Sequence, residues 1–149
     1  MKRKNKSFSL VELMVVIAIV GILSSIAIPS YRDYVNRGKI AEGISLARGW
    51  QIKIATYYNI NGGWPPQTGE FVDVNDVSES VSRLRWSPPK QAIEIWFRNL
   101  SGINDGKLLS FYPMIQNGNI IWNCGSNVDP FYQLPCKVLP SNCQTNCTQ

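Results

Sequence analysis

From Phe8 to Ile28 the chain reads FSLVELMVVIAIVGILSSIAI, 21 residues that carry a single charge. At about 1.5 Å per residue, a helix of this length spans roughly 31 Å, close to the thickness of a bilayer's hydrocarbon core. The run is apolar on every side, so it has no face to turn toward water and must be surrounded by lipid or by other apolar helices. Lys2, Arg3, Lys4 and Lys6 stand just before it. A basic cluster beside an apolar span stays on the cytoplasmic side, which places everything after Ile28 across the membrane. The net charge of +5 belongs to this leader, because four of the 15 Lys and Arg residues lie in it. The near-neutral remainder gives no electrostatic support for a nucleic-acid binder.

Three readings of this segment compete. In an ordinary secretory signal, Ser25-Ile26-Ala27 would supply the small-x-small cleavage site. A plain membrane anchor would need no cleavage at all. Both leave Glu12 unexplained, since an ionised carboxylate in an apolar helix costs up to about 2.5–3.5 kcal/mol at the bilayer centre, and less toward the ends. In the third reading the chain is cut after the small residue Ser7. Phe8 then carries a new α-amino group, and Glu12 lies four residues on along the same face. There it can pair with that amine or with a neighbouring subunit's, fixing the axial register between packed helices.

Helical spacing carries on past Pro29. Tyr31, Tyr34, Val35, Ile40, Ile44, Ala47, Trp50, Ile54 and Tyr57 or Tyr58 recur mostly every three or four residues, with charged residues around much of the remaining circumference. That pattern predicts one helix of about 50 residues from near Ser9 to near Tyr58, its second half having a single apolar face. Pro29 frees the carbonyl of Ser25 and predicts at least a kink. After Tyr58, Gly62-Gly63 and Pro65-Pro66 mark turns. Residues 59–90 read as an irregular connection, with a helical turn possible near 74–84 capped by Asn75 or Ser78. Ala92–Phe97 reads as a strand with Glu94 on an exposed face. Leu108–Ile115 and Asn119–Trp122 flank Asn117-Gly118, a type I′ hairpin signal, and Pro113 points to an edge position or a bulge. The expected fold is α+β, a long helix packed on a small antiparallel sheet spanning 91–124.

The four cysteines, Cys124, Cys136, Cys143 and Cys147, cluster at the C-terminal end. Behind an export-type N-terminus they read as two disulfides made outside the cytoplasm. A zinc site made of all four is the rival, but only Cys143 and Cys147 approach ligand spacing. Four cysteines allow three pairings, and spacing does not choose among them. The chain has no His. His-based triads, His metal ligands and a His pH switch are therefore excluded. A secreted enzyme would have to rely on a carboxylate pair, and no spacing marks one.

The stretch KNKSFSLVELMVVIAIVGILSSIAIPSY resembles the class III signal of type IV pilins and related pseudopilins: a short basic leader, a small residue at the cut, Phe, and Glu fifth in the mature chain. YRDYVNRGKIAEGISLARG, WNC and the LPSNC ending are similar to type IVa pilins, so the likeness reaches both ends of the chain. The residue before the cut is usually Gly in that family and is Ser7 here. The resemblance implies a ladle-shaped pilin fold, with residues 1–7 as a leader, 8–28 as the membrane and filament-core helix, and 29–149 as the head. It implies cleavage between Ser7 and Phe8 by a prepilin peptidase, N-methylation of Phe8, an assembly role for Glu12, and a Gly21–Pro29 segment that unwinds in the filament. A Trp-x-Cys bonded to the Cys of a Leu-Pro-x-x-Cys maps onto Cys124 and Cys143, which leaves Cys136 for Cys147; the pairing of 124 with 136 and 143 with 147 is the next alternative. The implied partners are further copies of the chain, the inner membrane before assembly, an assembly platform with cytoplasmic ATPases, and host surfaces or DNA reached through the filament. No cofactor or metal is implied. The implied function is an extracellular pilus subunit serving adhesion, twitching motility or DNA uptake. A minor pilin acting as adhesin or DNA receptor, or a secretion-system pseudopilin, is the alternative.

Overall fold

The computed structural model describes residues 8–125, 130–145 and 147. Ser7 and the basic leader lie outside them. The chain divides into two units, Met1–Arg32 and Asp33–Gln149, and one helix, α1 (Leu10–Asn61), contributes to both. The helix ends three residues beyond the expected Tyr58, as the pair Asn61 Nδ2 to Tyr57 O and Gly62 N–H to Tyr58 O close its last turn.

In the first unit no described residue is buried. Leu10, Val11, Leu13, Ile17, Ile22, Leu23 and Ile26 are each more than half exposed. A helix that is apolar all round calls for lipid or other apolar helices around it.

In the second unit α1 buries Asn36, Ile40, Gly43, Ala47 and Ile54, which recur at steps of three, four and seven and so form one stripe. Tyr34, counted on that face from the sequence, remains exposed. The stripe faces a five-stranded antiparallel meander in the order β1 (Val74–Asn75), β2 (Val81–Ser87), β3 (Ala92–Phe97), β4 (Lys107–Gln116), β5 (Asn119–Gly125). Leu84, Trp86, Ile93, Ile95, Phe97, Leu109 and Phe111 join it to make the core, closed from the C-terminal side by Leu134, Val138, Leu139 and Cys143. The fold is α+β.

Gly43 marks the closest approach of helix and sheet. A β-carbon there would lie 2.7 Å from the Phe97 ring, well inside van der Waals contact. Phe97 is fully buried and has little room to yield. Gly43→Val is expected to cost about 1–3 kcal/mol through overpacking, measured as a lower melting temperature of the full chain in detergent; an unchanged melting temperature would show that the ring can move aside.

Three expectations are corrected. The stretch 74–84 carries no helical turn, and the supposed connection 59–90 contributes β1 and β2, so the sheet begins at Val74 rather than at 91. Glu94 is only 2% exposed. Its face of the sheet is covered, since Ala92, Leu108 and Ser110 beside it are also buried and Tyr132 packs edge-on against Trp96 at 5.3 Å. The carboxylate keeps one ion-pair partner, Lys90 Nζ at 2.9 Å. Pro113 does take an edge position, as expected: it pairs with Trp122 in an unshifted register on one side, while on the other β3 ends its pairing at Phe111, so no strand there misses the absent N–H. The Asn117-Gly118 turn has positive φ at both residues, +50° and +78°, as a type I′ turn requires.

Candidate functional site

At the N-terminus of α1 the residue types dictate a capping box. Ser9 precedes the first helical residue, and its Oγ accepts the Val11 N–H at 3.3 Å. The Glu12 carboxylate reaches back to accept the Ser9 N–H at 2.9 Å. Two of the helix's unpaired donors are thereby satisfied. The negative charge also lies at the positive end of the helix dipole. Sequence reasoning missed this role for Glu12, although Ser-x-x-Glu ahead of an apolar run is its signature. The box leaves the carboxylate exposed, with one oxygen hydrogen-bonded to the amide that follows Phe8.

Through Gly21 and Pro29 α1 is helical without interruption. Nothing lies near the position a Gly21 side chain would take. Ser25 Oγ donates to Ile22 O at 2.7 Å and Ser30 Oγ to Ile26 O at 3.2 Å, local hydroxyl bonds that compete with the helix's own ladder around the proline.

In the head, polar side chains tie distant segments to α1. Asn36, buried, donates from Nδ2 to Ser101 O and accepts the Ser101 N–H, both at 2.9 Å. Arg37 Nε donates to Lys137 O at 2.8 Å, and Lys137 Nζ pairs with Asp33 at 3.0 Å. The C-terminal segment is further stapled by disulfides joining Cys124 to Cys143 and Cys136 to Cys147. Cys124 and Cys143 lie in the core, while Cys136 and Cys147 are half-buried. Among the described residues no group of three His, Cys, Asp or Glu side chains is placed to hold a metal ion.

One carboxyl in the head titrates away from its ordinary value. Hydrogen bonds from Ser80 and Ser78 hold the Glu42 pKa below 4.5, against a smaller opposing effect of burial. A lowered folded pKa means that this contribution to stability is present above 4.5 and is lost as the pH falls through the lowered value. Acid melts of the full chain should therefore lose stability over that interval, and Glu42→Gln should flatten this part of the profile. Equal slopes in the two proteins would show that the serines do not stabilise the charge.

Residues 36–144 match the pilin family of bacterial filaments. The chain belongs to that family. Residues 2–28 match the prokaryotic N-terminal methylation motif, so both units of this pilin are covered. It is 34% identical to the type IV major pilin protein PilE1 of Neisseria gonorrhoeae over 98% of each chain. It is 32% identical to the fimbrial protein EcpC of Eikenella corrodens over 99% of this pilin and 96% of that protein. Against the type IV major fimbrial protein FimA of Dichelobacter nodosus identity rises to 56%, but over 37% of this pilin and 34% of that protein.

Proposed function

We propose that this pilin is the structural subunit of a type IV pilus. It is made as an inner-membrane precursor, cut between Ser7 and Phe8 by a prepilin peptidase, methylated on Phe8 and polymerised into an extracellular filament. The observation that carries this reading is an apolar helix with no buried residue among those described in its unit, followed in the chain by a folded, disulfide-stapled head. Lipid satisfies such a helix before assembly, and copies of itself satisfy it afterwards.

On this reading residues 8–28 pack into a water-free filament core and the heads tile the outside. Cleavage turns Phe8 N into an amine beside the Glu12 carboxylate, and the charged pair sets the register of one helix against the next. The freed Ser25 carbonyl and the serine hydroxyls make Gly21–Pro29 the stretch of α1 most readily unwound when subunits compact. Moving an apolar helix from lipid to an apolar core gains little hydrophobic energy. Extension therefore needs work from outside, which cytoplasmic ATPases acting through an assembly platform would supply. Adhesion, motility or DNA uptake would then be properties of the filament as a whole.

Filaments sheared from the source cell test this directly by mass spectrometry of the subunit's N-terminus. The expected product begins at methylated Phe8. A chain that retains its leader, or one that begins at Ile28 after a cut behind Ala27, would overturn the reading.

A further inference from the structure

We propose that the β4–β5 hairpin of one subunit inserts into an apolar groove beside the C-terminal end of α1 on another copy of this chain, forming a head-to-head contact of the filament. The inference rests on the filament reading above. Pairing of β3 with β4 stops at Ile93–Phe111, whereas pairing of β4 with β5 continues to Gln116–Asn119. The hairpin beyond Phe111 is thus a two-stranded tongue, and two strands without a third are marginal in water. Met114, Ile115 and Ile121 are 53%, 51% and 42% exposed on it. Met114 faces Ile121 across the ladder and Ile115 faces Ile120, so apolar side chains emerge on both faces of the tongue.

From Leu108 to Val128 the sequence contains no charged residue. The outermost strand, β5, therefore lacks the lysines and other charges that usually keep an edge solitary. Such a surface calls for a cover that is apolar and electrically neutral, and the same unit carries one. Ile52, Thr56, Tyr57, Ile60, Pro66 and Phe71 line a groove of about 550 Å³. Ile52 and Ile60 stand largely exposed at it. Its two charged side chains, Lys53 and Glu70, approach each other to 4.0 Å, so an uncharged insert strands neither. A convex patch and a concave patch on one subunit make a heterologous contact, which repeats from copy to copy and propagates a helix; hairpin against hairpin would close on itself as a pair.

The unaltered filament gives the first test. Peroxide oxidation of Met114 and acylation of Lys53 are compared between intact sheared filaments and the same filaments dispersed in detergent. Both reactions should be several-fold slower in the filament. If either residue reacts equally in the two states, the contact is refuted while the filament reading stands. If no filament contains this chain, the reading beneath it falls, and the contact with it. The second test adds Ile60→Cys and Ile115→Cys together. No cysteine of the native chain is free, so oxidation should yield a ladder of cross-linked multimers from the double variant and only monomers from either single one. Dimers from Ile115→Cys alone would assign the tongue to its own twin and overturn the groove. Should the double variant fail to assemble, the labelling of the unaltered filament decides.

Discussion

Cells making Glu12→Gln in place of the native chain are expected to lose sheared filament by about a hundredfold or more, while the subunit still accumulates in the membrane. The size follows from the cost of leaving one partner of a buried ion pair alone, about 3–5 kcal/mol, at roughly 1.4 kcal/mol per factor of ten. Gln is the informative substitution because its side-chain oxygen can still accept the Ser9 N–H that Glu12 accepts now. Capping survives and only the charge goes. The converse variant, Ser9→Ala, removes the cap's hydroxyl at a cost of about 1 kcal/mol but leaves the carboxylate in place, so filaments should persist near their usual amount. Quantifying sheared filament by immunoblot against total subunit separates the two roles. If Glu12→Gln filaments appear at native levels, Glu12 is a helix cap and nothing more.

The second large effect concerns the staples. Replacing Cys124 and Cys143 by Ser should lower the melting temperature of the full chain by on the order of 10 °C or more, and replacing Cys136 and Cys147 should lower it less. Chain entropy alone does not separate them. The enclosed loops, 19 and 11 residues apart in sequence, are each worth about 3 kcal/mol in that model, and at a few degrees per kcal/mol the shift follows. Burial makes the difference. Cys143 is 1% exposed, so its replacement also strands a hydroxyl in the core at about 1–3 kcal/mol. The Cys136–Cys147 bridge lies where water can satisfy a serine. Equal losses from the two pairs would mean that the core relaxes around Cys124 and Cys143.

Much of this architecture could be read from local pattern. The 3.6-residue stripe gave α1, Asn117-Gly118 gave the hairpin, and AIEIWF gave β3 to the residue. What escaped did so for physical reasons. In β2 the buried residues Val81 and Leu84 are three apart, because a register shift between Val81 and Arg83 inserts an extra residue. A bulge of that kind erases the period of two by which a strand is recognised. Alternation alone assigns Glu94 to an exposed face. The burial of that face depends on segments brought in from elsewhere in the chain, Tyr132 among them, which no window of neighbouring residues contains. Asn36, polar on an apolar stripe, gave no sign that a loop 65 residues later would satisfy it from both sides. At the N-terminus the opposite happened. The capping box is written in four consecutive letters, Ser9 to Glu12, where the same carboxylate also answers to a charged partner.

The fit of Phe97 against Gly43 also bears on a subunit under load. To slide along the sheet by one turn, about 5.4 Å, α1 would have to bring Ile40 or Ala47 into the space that a missing side chain leaves for the ring. Tension along the helix axis therefore meets steric obstruction inside the head, a resistance that neither salt nor acid weakens.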